Sequence, residues 1–168
     1  MPKELSRSSQ PVKELCDPLR PSQCLAVDTG AVSLPYHSLQ GIGFERLLLN
    51  ILAAEGKYVR FFGNPGQRDY GVDLVVEENG AVTVYQCKNY ATEPSLEKIK
   101  QELVKFQNHW LEERKLPPPA KYVYCCPHSF SDLKRAESWL QWKEKFKKDV
   151  GSEVVLLTRE TLDEKLKR

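Results

Sequence analysis

Asn79-Gly80 separates two runs of strand-forming residues, 72–77 and 81–88. Asn-Gly readily adopts the two positive-φ positions of a tight turn whose twist matches paired strands. Between such runs it predicts a two-residue hairpin. A turn of that length sets Glu78 opposite Ala81, and the remaining pairs follow from it, down to Asp73 opposite Gln86. Directly paired residues share a face, with Cβ atoms about 5 Å apart. Lys88, two residues beyond Gln86, returns to the same face. That face reads Val75, Val82 and Val84 near the turn, then Asp73, Gln86 and Lys88 at the far end. A solvated face mixes polar residues throughout. Here apolar side chains give way abruptly to a carboxylate, an amide and an ammonium.

A second pattern lies upstream. Phe44, Leu47, Leu48, Ile51 and Leu52 recur at the spacing of one helix face, and Gly56 ends the run. At about 100° per residue, Glu45 falls between Leu52 and Leu49, inside the apolar arc. A carboxylate there is costly unless it is paired or coordinates a metal. Docked on the apolar face of the hairpin, this helix aims Glu45 at Asp73 and Gln86. Oxygen ligands from Glu45, Asp73 and Gln86, with the backbone carbonyl of Cys87, suit a hard divalent cation, Mg²⁺ or Mn²⁺. Lys88 beside that cation is suited to orient a water or to stabilise charge on a phosphate oxygen. The expected chemistry is metal-assisted phosphodiester hydrolysis.

The rest of the chain predicts a strand over 57–62, a loop over 63–71, and a long helix over 95–114. Ser95 caps that helix and Pro117-Pro118-Pro119 stops it. A strand over 122–126, a helix over 132–148, a strand over 153–157 and a last helix from Thr158 to 167 complete an α/β sandwich with a mixed sheet. Residues 1–38, with Pro2, Pro11, Pro18, Pro21 and Pro35, read as an extended arm or linker, and 39–168 as the folded domain.

With 25 Lys+Arg against 23 Asp+Glu, the net charge of +2 is too mild to argue for nucleic acid, so that case rests on the site. The apolar stretch 47–54 is too short for a membrane span, and the N-terminus lacks the apolar core of a signal peptide. Five cysteines without a C-x-x-C spacing indicate a reducing compartment, the cytoplasm.

Gly71-Val72-Asp73-Leu74 followed by Tyr85-Gln86-Cys87-Lys88 resembles the PD-(D/E)XK nuclease superfamily, and in particular the Mrr-like restriction endonucleases with their GxD and QxK motifs. The segment GFERLLLNILAAEGKYV is similar to that family's first helix, its acidic residue being Glu45 here. Gln86 departs from the superfamily's more usual acidic residue and agrees with the Mrr-like variant. The resemblance covers roughly residues 41–166. It implies a restriction-endonuclease-like αβββαβ core, a mixed central sheet flanked by helices, and a Mg²⁺-dependent DNA endonuclease. Asp73 would be the principal metal ligand, Gln86 and Glu45 would complete the site, and Lys88 would be the catalytic lysine. It further implies duplex DNA as substrate, a role in restriction or anti-phage defence, and a sensing or specificity domain or partner subunit. Cutting both strands with one site per chain favours a homodimer. The alternative is a catalytically silent DNA- or junction-binding module of the same fold.

Other residues have plainer readings. Asp69 shapes a loop, and Lys57, Arg60 and Arg68 are solvated. Cys125 and Cys126 behave as small apolar groups on a strand. Cys87 points away from the Gln86 face and packs, and Trp139 and Trp142 belong to core and edge.

Overall fold

The computed structural model describes residues 34–63, 71–130 and 133–167, the side chains of 133–135 excepted. Residues 1–33 of the expected arm, and Arg68 and Asp69 of the 63–71 loop, lie outside the described residues.

The hairpin forms as its turn dictates. Strands β2 (Leu74–Glu78) and β3 (Ala81–Cys87) pair antiparallel from Glu78↔Ala81 to Leu74↔Tyr85. Asn79 and Gly80 take φ values of 50° and 78°, both positive, as a turn that follows the strand twist requires. Around this hairpin, β1 (Val59–Phe61) adds antiparallel to β2, while β4 (Lys121–Cys125) and β5 (Glu153–Leu157) add parallel beyond β3. The order is β1-β2-β3-β4-β5, a mixed five-stranded sheet.

The helices are α1 (Gly41–Ala54), α2 (Leu96–Gln107), α3 (Leu133–Val150) and α4 (Arg159–Leu166). Parallel neighbours need long crossovers, and α2 and α3 provide them. Both crossovers step in the same direction across the sheet, so connections of one hand put α2 and α3 on one face. They share a core there with Val75, Val84, Tyr122 and Tyr124. The opposite face carries α1 and α4, packed on Leu74, Val76, Tyr85, Cys87 and Cys125. Leu48 of α1 and Leu162 of α4 are fully buried in it. Each side chain of that size contributes about 1.5–3 kcal/mol on burial.

This arrangement corrects the expected docking of the first helix. The face bearing Val75, Val84 and Gln86 is covered by α2 and α3, and α1 lies on the other face. The expectation assumed a hairpin with one buried face. Two-sided cover instead buries consecutive residues, as in Leu74–Val76 and Tyr122–Cys125, which is the mark of strands inside a layered α/β sheet.

Two details position the end of the sheet where Asp73 lies. Asn89 Nδ2 donates to the carbonyls of Tyr36 and Leu39, at 2.6 and 2.5 Å, and so ties the lead-in of α1 to the residue after Lys88. Ser95 caps α2, its hydroxyl accepting from the Lys98 N–H at 3.2 Å. Beyond Gln107 the helix widens into a π-type turn over Asn108–Glu113, and Trp110 Nε1 donates to the Pro117 carbonyl at 2.9 Å. The three prolines then release the chain into β4. Among the described residues, no helix is long and apolar enough to cross a membrane.

Candidate active site

Asp73 immediately precedes β2, and its main chain stays in the ladder. Its N–H donates to the Tyr85 carbonyl, and its carbonyl accepts from the Phe62 N–H, both at 2.8 Å. The paired register ends at Leu74↔Tyr85, and the Asp73 N–H bonds the Tyr85 carbonyl rather than that of Gln86, so the ladder is offset by one residue at Asp73 and does not continue into the expected Asp73–Gln86 pair. The Asp73 carboxylate does not simply face solvent. Its Oδ2 accepts from the Cys87 N–H at 2.5 Å, and the residue is 6% exposed. Asp73 is therefore a structural acceptor for β3 as well as a candidate ligand.

Gln86 is completely buried. Its Oε1 accepts from the Tyr122 hydroxyl at 2.5 Å, and its Nε2 donates to Glu102 Oε2 at 3.1 Å. The Tyr122 hydroxyl also lies 3.1 Å from the Gly71 carbonyl. Gly71 has φ of +87°, and a Cβ there would stand 3.3 Å from Gln86 Nε2. A glycine at that position both takes the left-handed backbone and makes room for the amide. Burial, then the negative charge of Asp73, push the Tyr122 hydroxyl well above its ordinary pKa, with Glu102 adding to the shift. Gln86, Tyr122 and Glu102 are thus joined by hydrogen bonds on the α2 side of the sheet, and the Asp73 charge is felt at the Tyr122 hydroxyl.

Lys88 follows β3, its N–H donating to the Cys125 carbonyl at 2.8 Å. Its ammonium lies 3.8 Å from Glu102 Oε2. Glu102 Oε1 accepts from Lys105 Nζ at 2.8 Å. Burial alone would raise the Glu102 pKa. The Lys105 hydrogen bond and the Lys88 charge outweigh it and hold the carboxyl below its usual range.

Glu45 reaches this end of the sheet from the α1 side. Cys87 projects there too, as expected, in the α1 core. A hydrogen bond with the Cys125 thiol, then burial, raise the Cys87 thiol well above its ordinary pKa, and the charges of Asp73 and Glu45 add to the effect. The four expected residues therefore divide across the sheet. Gln86 and Lys88 gather around Glu102 on the α2 side, Asp73 sits on the Cys87 N–H with its charge felt at both Tyr122 and Cys87, and Glu45 lies on the α1 side.

Asp73 and Glu45 carboxylates, amide Oε1 and backbone carbonyls are hard oxygen donors, the set that suits Mg²⁺ or Mn²⁺. An amide oxygen has two lone pairs, so the Tyr122 bond leaves Gln86 Oε1 one for a cation. Among the described residues, no three His, Cys, Asp or Glu side chains are gathered closely enough to hold a metal by themselves. A cation here would depend on amide and main-chain oxygens besides carboxylates.

Glu102 and Tyr122 are the residues that the sequence-based set omits. Glu102 had a legible signal. It lies only about 40° around α2 from the buried Phe106, at the margin of the stripe formed by Ile99, Leu103 and Phe106. The angular test that singles out Glu45 would have found it. Tyr122 had none, because nothing local shows that a strand tyrosine will meet Gln86. The plainer readings agree with the structure where it describes them. Arg60 pairs with Glu77 at 2.8 Å on the exposed surface. Cys87, Cys125 and Cys126 are buried free thiols, and Trp139 stacks on Trp142 with ring centroids 5.4 Å apart.

The Mrr_cat restriction endonuclease family model matches residues 36–165. No curated protein matches the chain. Among solved structures, an XisH family protein from Nostoc punctiforme PCC 73102 is similar, with 13% identity and a TM-score of 0.42 over 71% of this chain and 93% of that one. A protein of unknown function, AF1548, is similar at 15% identity and a TM-score of 0.43 over 76% of this chain and 64% of its own.

Proposed function

Because the chain belongs to the Mrr_cat restriction endonuclease family, we propose that it is a metal-dependent endonuclease that hydrolyses phosphodiester bonds of duplex DNA at the Asp73 end of the hairpin. The observation that carries this reading is that Asp73, buried Gln86 and Lys88 lie at one end of the β2–β3 hairpin, Asp73 on the Cys87 N–H and Gln86 and Lys88 both on Glu102. Asp73 and Glu45 would hold the cation, with Gln86 Oε1 and the Cys87 carbonyl completing its oxygen shell. A Mg²⁺ or Mn²⁺ held there would supply Lewis acidity to the phosphate and to the attacking water. Lys88 would set its ammonium beside the scissile phosphate, where it would stabilise the negative charge that grows on the phosphate oxygens. Water attacks phosphorus, the P–O bond to the sugar breaks, and the leaving sugar oxygen takes up a proton while the attacking water gives one to solvent. Restriction of foreign DNA in a cytoplasm is the setting that follows from this reading, and two copies of the chain would cut both strands.

The test is cleavage of supercoiled plasmid with Mg²⁺ or Mn²⁺, and with EDTA. Lys88→Ala serves as the control for contaminating nuclease. Asp73→Asn is the better second variant than Asp73→Ala, since its amide oxygen can still accept from the Cys87 N–H. The expected result is nicking or linearisation that requires metal and is lost in both variants. Undiminished cleavage by either variant would refute the assigned roles. DNA binding without cleavage under every metal would favour the silent binding module.

A further inference from the structure

Glu102 stands outside the motif residues, yet it touches two of them. Its Oε2 accepts from Gln86 Nε2 at 3.1 Å and faces Lys88 Nζ at 3.8 Å. Its Oε1 is taken by Lys105 Nζ at 2.8 Å. The side chain is 15% exposed, on a helix whose next acidic neighbour, Glu97, is 74% exposed. We propose that Glu102 is a positioning residue for this site, fixing which way the Gln86 amide points and holding the Lys88 ammonium at the strand end.

The chemistry of the partners makes Glu102 decisive. The last torsion of a glutamine side chain is broad and nearly two-fold, so the amide can present either end. The Tyr122 hydroxyl can donate or accept, and therefore selects neither end. An ionised carboxylate only accepts. Glu102 thus requires Nε2 on its own side and turns Oε1 toward Tyr122. For Lys88 the problem is freedom rather than polarity, because four methylenes give the ammonium many rotamers. An ion pair anchored on α2 confines it. Ser95 capping and the buried residues Ile99, Leu103 and Phe106 hold α2 itself in place, so the carboxylate is presented from a rigid element.

The catalytic part of this inference rests on the proposed nuclease reading, whereas the holding of Gln86 does not, and two readouts separate them. In Glu102→Ala, cleavage should slow by about 10²-fold, the scale at which a displaced catalytic group acts. DNA affinity without divalent metal should be unchanged or tighter, because a negative charge beside the phosphate path has gone. A merely structural role would lower both together. The second readout is the side-chain amide signals of Gln86 by nuclear magnetic resonance, without metal or DNA. They should move toward solvent-exposed values in Glu102→Ala; in Glu102→Gln, whose amide can donate as well as accept and so selects neither end, they should split or shift without reaching those values. Glu102→Gln should also recover part of the lost rate. Cleavage by Glu102→Ala at the wild-type rate, a matching loss of DNA affinity, or unmoved Gln86 signals would overturn the proposal. If the wild-type protein cleaves under no metal, the nuclease reading falls, and the Gln86 signals alone decide the holding role.

Discussion

Tyr122→Phe removes one oxygen from the centre of the molecule and should cost far more than its size suggests. The ring is completely buried, and its hydroxyl donates to Gln86 Oε1 at 2.5 Å while lying 3.1 Å from the Gly71 carbonyl. Gln86 is itself fully buried, so water does not reach its amide to replace the lost donor. The ring remains, so the void is a single atom and the packing loss is small. What remains is the desolvation of an acceptor deprived of its partner, about 1–3 kcal/mol. Urea unfolding followed by tryptophan fluorescence measures it, with Trp110 reporting from the core. For a loss of about 2 kcal/mol and a urea slope of about 2 kcal/mol/M, the midpoint falls by about 1 M at unchanged slope. The mechanism also predicts non-additivity. With Gln86→Met the acceptor disappears too, so the double variant should be less destabilised than the sum of the singles, with a coupling of about 0.5–3 kcal/mol. A Tyr122→Phe midpoint equal to wild type, or strictly additive effects, would refute the claim that this hydroxyl satisfies Gln86.

Two further outcomes follow from the same region and from the buried phenols. Gly71→Ala should lower stability by roughly 1–2 kcal/mol for the left-handed backbone at φ +87°, with more from crowding of Gln86 Nε2. A thermal melt should then shift down by at least about 3 °C, and an unchanged melting temperature would contradict the strain assigned there. At high pH, burial raises Tyr85 from 10.0 to about 12, and Tyr36, Tyr122 and Tyr124 are raised as well. Above pH 10 the unfolded chain loses these protons while the native state keeps them, so stability should fall with rising pH, by about 1.4 kcal/mol per pH unit for each such group. The tyrosinate absorbance of these four should accordingly appear in one cooperative step with alkaline unfolding. A gradual rise of all seven tyrosines near pH 10 in a still-folded protein would disprove their burial.

The amphipathic stripe of α1 correctly marks Phe44, Leu48, Ile51 and Leu52 as buried. It does not say which face of the sheet receives the stripe. Amphipathicity records how much of a helix is buried, and any apolar surface satisfies it equally. The choice depended on β4 and β5 lying parallel beyond β3, which puts α2 and α3 on the Gln86 face and leaves the Cys87 face to α1. The same limit applies to Tyr122. Strand β4 is adjacent to β3 only because α2 spans the crossover, and Tyr122 meets Gln86 only through that pairing.

Local rules in the sequence determined the hairpin and its register. Two residues, Asn79 and Gly80, close the turn, and backbone geometry then carries each pairing down to Leu74 and Tyr85 without reference to anything distant. Tertiary structure decided how the site residues are held. Gln86 lies between Tyr122 and Glu102, Lys88 is drawn to α2, and Asp73 accepts from the Cys87 N–H across the strand ends. The physical reason is a difference in range. A two-residue turn leaves the hydrogen-bond ladder one way to close, whereas the packing of helices on a sheet is set by buried surface summed over the whole molecule.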